Sequence, residues 1–195
     1  MNANTMDTQT LAMLAVLVLL LIAIGVWVYR ERRQSRRLLQ RFGPEYERTV
    51  DRTGSRAKAE SELRRREERV EKLHIVPLAP AEAARFSQAW RGLQGGFVDN
   101  PKAAVAEADQ LVRELMGKRG YPMGDFERRA ADISVDHPAV VDHYRAAQAI
   151  AQRDRRGEAD TEELRRAVVH YRALFDELLE VQEPERASQG MEVHP

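Results

Sequence analysis

One long apolar segment near the start of the chain is followed by shorter amphipathic segments. Residues 11–29, LAMLAVLVLLLIAIGVWVY, contain no charged residue. As a helix rising 1.5 Å per residue, a segment of this length reaches about 28 Å, close to the roughly 30 Å hydrocarbon core of a bilayer. The pattern therefore predicts a transmembrane helix over residues 11–29, preceded by a short N-terminal tail over residues 1–10.

Residues 30–74 are dense in charge and predict a helical neck. Gly43 and Pro44 interrupt the pattern, because proline lacks an amide donor and disfavours helix at the residue before it. After this break, acidic and basic residues recur four positions apart, a spacing that supports a solvated helix. We therefore expect a hinge at Gly43 and Pro44, followed by a solvated spacer. A self-associating coiled coil is the alternative, although its apolar positions do not form three regular heptads: Tyr46, Val50, Leu63, Val70 and Leu73.

Residues 75–180 carry apolar stripes with helical spacing and predict a compact helical bundle with Trp90 in its core. Asp160 followed by Glu163 is a capping-box sequence at the start of the last helix. No alternating strand pattern competes, so the predicted fold class is all-α: a transmembrane helix, a charged helical neck and a helical bundle. Residues 181–195 have little apolar content and predict a disordered tail. The predicted bundle helices cover about residues 81–94, 101–119, 125–132, 138–153 and 161–178.

Charge is unevenly distributed along the chain, although its formal net charge is zero. Residues 30–73 hold 15 Lys and Arg against 9 Asp and Glu, a net charge of +6, whereas residues 74–195 hold 16 against 21, a net charge of −5. Because cationic flanks resist translocation, we expect the N-terminus outside the cell membrane and the bundle in the cytoplasm. A cleaved signal peptide is the alternative, with AIG at 23–25 before the cleavage site. It is disfavoured because no Lys or Arg precedes the apolar run.

Composition and local context exclude several kinds of chemistry. The chain has no cysteine, which excludes disulfides, thiolate zinc sites and thiol nucleophiles. The segment GLQGG lacks the preceding strand and the Lys-Ser or Lys-Thr of a phosphate-binding loop. The arginines of RRRE at 64–67 lie among glutamates and predict a solvated face rather than nucleic-acid binding. No catalytic residue and no cofactor is therefore predicted.

Five strings of the sequence resemble, in the same order, a family of uncharacterised bacterial single-pass membrane-anchored proteins. They are RFGPEYERTV, LHIVPL, FVDNPKAAVAEADQLV, RGYP and ISVDHP, and the similarity covers roughly residues 38–180. The resemblance implies a membrane anchor followed by a helical domain. It implies no activity, ligand or catalytic residue.

A near-repeat, AVVDHYRA and AVVHYRA, places one histidine on each of two consecutive predicted helices. In an antiparallel hairpin His143 and His170 can approach each other, and two histidines with a carboxylate are enough to bind a transition metal. The competing interpretation is that each histidine lies at the boundary of an apolar stripe, with one ring nitrogen in water. The pattern favours this second interpretation, so no metal ligand is predicted. The carboxylates within a turn or two are Asp136, Asp142 and Glu163.

These patterns together predict a membrane-tethered helical protein-interaction module or scaffold without catalysis of its own. Its expected partners are membrane lipid, through the anchor and the basic flank, and another protein, but not nucleic acid. Two alternatives stay open. One is a metal-binding or hydrolytic helical domain that uses His143 and His170, and the other is a stalk that self-associates through the neck.

Overall fold

The computed structural model describes residues 8–179, and within this range the chain is built from helices without a strand. The predicted all-α class is confirmed. The predicted disordered tail at 181–195 and most of the predicted N-terminal tail lie outside the described residues. The helices are α1 (Thr8–Phe42), α2 (Pro44–Thr53), α3 (Arg56–Val70), α4 (Pro80–Gly96), α5 (Pro101–Arg119), α6 (Phe126–Asp136), α7 (Val141–Arg155) and α8 (Thr161–Leu178).

The chain divides into two compact units, residues 1–63 and residues 64–195. The first unit contains α1, α2 and the first half of α3, and the second contains the rest of α3 and α4 to α8. The division lies inside α3, whereas the sequence pattern predicts the boundary between neck and bundle between residues 74 and 75.

Helix α1 is the one described helix with the length and composition of a membrane span. Its segment Leu11–Phe42 contains a window with a mean hydropathy of 3.0, and none of that window is buried by other parts of the chain. The same criteria are met by a signal sequence near an N-terminus. The structure therefore shows an apolar N-terminal helix of membrane-spanning length.

The neck differs from the predicted solvated spacer. It contains two helices, because Gly54 adopts a left-handed conformation with φ of 65° and its N–H donates to the Val50 carbonyl at 2.9 Å. At Gly43 the backbone φ is 49°, which a glycine adopts without strain, and α2 then packs against α1. Several neck side chains are consequently buried rather than solvated: Tyr46, Ala59, Glu60, Leu63, Arg66, Glu67 and Val70.

The core of the second unit lies where α8 packs against α5 and α7, with α4 against α5. The predicted apolar stripes on α5 and α8 face this core, and Trp90 of α4 is fully buried. The Trp90 and Phe175 rings stack with their centroids 4.7 Å apart. The helices that the sequence predicts therefore bury the residues expected on their apolar faces.

The predicted cap of α8 agrees with the structure, whereas some of the predicted helix limits do not. The Asp160 and Glu163 capping box is present, and the Asp160 side chain accepts the Glu163 N–H at 2.7 Å. Helix α4 continues through Gly95 to Gly96, past its predicted limit near residue 94. A glycine inside a helix costs only about 1 kcal/mol, so neighbouring helical residues can carry the helix through it. Helix α7 begins at Val141, after a turn that starts at Pro138.

Candidate functional site

Helices α7 and α8 pack against each other and bring the two candidate histidines together. The Nδ1 atoms of His143 and His170 are 2.9 Å apart, and the ring centroids are 5.1 Å apart. The predicted approach of the two side chains is therefore confirmed. At this distance one ring donates its Nδ1–H to the Nδ1 lone pair of the other, so the pair is satisfied when both rings are neutral.

The surroundings of His170 favour its neutral form. Burial lowers the pKa of His170, and the charges of His143 and Arg166 lower it further. The ordinary histidine pKa is near 6.5, so His170 is mainly neutral at pH 7. His143 is exposed, which leaves one side of the pair open to solvent.

Two of the three carboxylates that the sequence placed near the histidines have partners elsewhere. Glu163 takes part in the α8 capping box and pairs with Arg153, and Asp136 accepts a hydrogen bond from the Tyr121 hydroxyl at 3.4 Å. Within residues 8–179, no group of three or more His, Asp or Glu side chains is arranged to hold a metal ion. The structure thus brings two nitrogen ligands together without a third protein ligand.

A groove between α4 and α5 forms an apolar cavity on the second unit. It has a volume of about 400 Å³, and its apolar lining consists of Ala89, Leu93, Ala106 and Leu111. The polar residues that line it are Glu107, Gln110 and Glu114, and Gln110 donates to Glu114 at 2.8 Å. None of these described lining residues is Lys or Arg, so the groove is apolar with an acidic border.

A second cavity, of about 550 Å³, lies inside the first unit among α1, α2 and α3. We call it the neck pocket. Arginines from two helices line it, with glutamates beside them and the Tyr46 ring as part of its wall. The Tyr46 hydroxyl donates to Glu60 Oε1 at 2.8 Å. The residues that carry charge there are Glu31, Arg32, Arg36, Glu47, Arg56 and Glu60.

Buried polar contacts join α3 to α6 within the second unit. Arg69 donates to Asp132 Oδ1 through Nε at 2.9 Å and Nη2 at 2.7 Å, and Asp132 is fully buried. Arg66 donates to the Ser134 hydroxyl at 3.3 Å. The segment RRRE at 64–67 is therefore not a uniformly solvated face, since Arg66 and Glu67 are buried.

Sequence reasoning found the histidine pair but missed the groove and the neck pocket. The histidine pair was visible as a repeat on two consecutive helices. The groove depends on which faces of α4 and α5 meet, and its signal in the sequence is limited to the small residues Ala89 and Ala106. The neck pocket depends on a chain reversal at Gly43, which the sequence marked as a break without indicating its direction.

In comparisons with known proteins, no family model matched the chain, and no curated protein or solved structure matched it either. The resemblance to a bacterial membrane-anchored family therefore stays a prediction.

Proposed function

We propose that the protein is a single-pass membrane protein whose helical domain binds another protein and holds it at the membrane. In this proposal α1 spans the cell membrane, the N-terminus is outside and the domain lies in the cytoplasm, since arginines follow the apolar segment. Tethering raises the effective concentration of a bound partner without any chemistry on the part of the tether. The protein itself is proposed to have no catalytic activity.

The observation that carries the interaction proposal is the groove between α4 and α5. Apolar grooves of this kind bind the apolar face of a helix from another protein. The groove presents Glu107 and Glu114 beside Leu93 and Leu111, and no described lining residue is cationic. Charge complementarity therefore favours one occupant, a basic amphipathic helix of a partner protein.

Site-specific photocrosslinking in cells that produce the protein naturally tests this proposal. A photoreactive residue at Ala106 is expected to give an adduct with one polypeptide, and the crosslinked peptide should form a basic amphipathic helix. The same residue at Val169, which is 57% exposed on α8, is the matched control and should give no such adduct. Glu107→Lys should lower the yield, whereas Glu162→Lys on α8 should leave it unchanged. Equal adducts from both positions, or a yield that Glu107→Lys leaves unchanged, would remove the groove from the proposal.

A second candidate function rests on the 2.9 Å approach of His143 and His170. Two imidazoles can bind a divalent transition metal if water completes the coordination, and such a domain could be metal-binding or hydrolytic. A titration of the full chain with Cu²⁺ tests it, with His74→Ala as a control on an exposed histidine elsewhere. Loss of one bound equivalent of Cu²⁺ in each of the variants His143→Ala and His170→Ala would support the metal site. Unchanged stoichiometry in either variant would leave the pair as a hydrogen bond between helices.

Self-association through the neck is the remaining alternative. Three of its five apolar positions, Tyr46, Leu63 and Val70, are buried within the chain, which leaves them unavailable to form a seam with a second copy. Sedimentation of the detergent-solubilised protein distinguishes a monomer from the dimer that a coiled-coil stalk requires.

A further inference from the structure

The neck pocket begins in the lipid headgroup layer if α1 spans the membrane as proposed. At 1.5 Å per residue, Arg32 is about 4.5 Å and Arg36 about 10.5 Å beyond Tyr29 along the helix axis. The headgroup layer extends about 5 to 7 Å beyond the hydrocarbon core on each side of a bilayer. Arg32 therefore falls within this layer. Arg36 lies a few ångströms beyond it, and its side chain leans back toward the layer because helical side chains point toward the helix N-terminus.

Helix α3 brings a third arginine to the same pocket. Arg56 follows Tyr29 by 27 positions in the sequence, yet it lines the pocket together with Arg32 and Arg36 because the chain reverses after α1. Among the described residues, the side chains of Arg32 and Arg36 have no hydrogen-bond or ion-pair partner. Arginine binds phosphate oxygens through two parallel N–H donors, so this group of guanidinium ions suits a phosphate.

Carboxylates make the neck pocket different from a simple basic patch. Glu31, Glu47 and Glu60 balance the three arginines in number, and Glu60 already accepts the Tyr46 hydroxyl. A lining with equal numbers of both charges gives little net attraction to an anion. It matches a ligand that carries a phosphate and an ammonium group within a few ångströms of each other.

We propose that the neck pocket binds the headgroup of phosphatidylethanolamine, with the phosphate at Arg32, Arg36 and Arg56 and the primary ammonium at Glu31 and Glu47. This inference rests on the proposed membrane anchor, because the acyl chains must lie in the bilayer beside α1. A primary ammonium donates three hydrogen bonds to carboxylates. The quaternary ammonium of phosphatidylcholine has no N–H to donate, so the pocket distinguishes two lipids of equal charge.

Native mass spectrometry of the full chain in detergent, titrated with lipids of identical acyl chains, tests the proposal. We expect phosphatidylethanolamine to bind about tenfold or more tightly than phosphatidylcholine, because charge-assisted hydrogen bonds are lost with the latter. Arg36→Gln should weaken the binding of both lipids. Glu47→Gln should reduce the difference between them. Arg33→Gln is the matched control, since Arg33 lies on the same helix but does not line the neck pocket.

Three outcomes would overturn this assignment. Equal affinity for the two lipids would remove the ammonium site, and equal loss in Arg33→Gln and Arg36→Gln would indicate general attraction to the basic flank. Displacement of the lipid by free phosphoethanolamine at a similar concentration would assign the pocket to a soluble ligand. Carbonate extraction of cell membranes tests the anchor separately: release of the protein would refute the anchor, while retention together with equal lipid affinities would refute the lipid site alone.

Discussion

Tyr46 shows how a single polar side chain is held inside the first unit. Its side chain is 2% exposed, and its hydroxyl donates to Glu60 across the turn between α2 and α3. Burial raises the pKa of Tyr46 to about 12, and the hydrogen bond to the Glu60 carboxylate and its negative charge also raise it. The neutral phenol is therefore part of the folded structure of this unit.

We expect the folded protein to lose stability as the pH rises above 10. The unfolded chain releases the Tyr46 proton near pH 10, and the folded chain near 12. Between these values the unfolded state binds fewer protons, so the free energy of unfolding falls as the pH increases. Tyrosinate absorbance of the wild type should show a transition near pH 12 that Tyr46→Phe lacks. Glu60→Gln should lower the pH of this transition. A Tyr46 component that ionises near pH 10 in the wild type would contradict this expectation.

Trp90 is the largest fully buried side chain of the second unit. Besides stacking on Phe175, its ring lies 5.5 Å below the Arg172 guanidinium. We expect Trp90→Ala to lower the free energy of unfolding by about 3 to 5 kcal/mol, since it removes a large core side chain and leaves a cavity. Urea unfolding of the full chain in detergent measures the change. Trp27→Ala, at a position that is 65% exposed in α1, is the control and should leave the unfolding of the helical domain unchanged.

At the scale of elements, the contact between α3 and α6 depends on a buried carboxylate. Asp132 is fully buried with Arg69 as its closest cationic partner, and Arg128 is farther away at 3.8 Å. Helix α3 thereby fixes part of the neck sequence to the second unit through specific charges rather than through an apolar stripe. This explains why charge-dense residues after Arg64 belong to a packed structure.

Arg69→Met is expected to destabilise the second unit by about 3 kcal/mol. Removal of one partner of a buried pair costs about 3 to 5 kcal/mol, and the lower end applies because Arg69 is 27% exposed and water screens the charge. Arg165→Ala breaks a pair with Glu162 that is more than half exposed on both sides, so it should change stability far less than Arg69→Met. Chemical denaturation of both variants measures the difference. Equal effects would show that Asp132 is stabilised without Arg69.

The turn between α1 and α2 gives a second prediction at the scale of elements, which concerns whether Gly43 and Pro44 form a hinge. Replacing Gly43 by alanine removes a helix penalty of about 1 kcal/mol, and replacing Pro44 by alanine removes one of about 3 kcal/mol. Both changes favour one continuous helix. The packing of Tyr46 and the other buried neck residues opposes that change. If the turn is a hinge, spin labels at Gln40 and Lys58 should be farther apart and more narrowly distributed in the double variant, measured in nanodiscs. An unchanged distribution would mean that packing holds the turn in place and that it is not a hinge.

For the whole molecule, the order of the apolar helix, the arginines and the helical domain leads to a prediction of topology. We expect the protein in the membrane fraction, and we expect alkaline phosphatase fused to its C-terminus to be inactive because the domain stays in the cytoplasm. The same fusion with α1 replaced by a cleavable signal peptide is the control for activity. An active fusion would reverse the orientation, and recovery of a soluble chain that begins near residue 26 would show that α1 is a signal sequence.

By itself, the sequence determined the features that depend on neighbours along the chain. Apolar spacing placed the bundle helices and their buried faces, caps such as Asp160 marked helix starts, and an uncharged run marked α1. These features are local because a helix forms its hydrogen bonds within four residues and buries one stripe. The approach of His143 and His170 could also be predicted from the sequence, since a near-repeat on two consecutive helices aligns them in a hairpin.

Only the tertiary structure decided where distant charges lie. The neck has the composition of a solvated spacer, yet the positive φ of Gly43 and Gly54 reverses the chain and buries Tyr46 and Glu60 together. Whether a charged residue is buried depends on a partner such as Asp132, which lies 63 positions from Arg69 and leaves no trace in local periodicity. The neck pocket and the α4–α5 groove arise in the same way, because a cavity is defined by how helices pack and not by the pattern along any one of them.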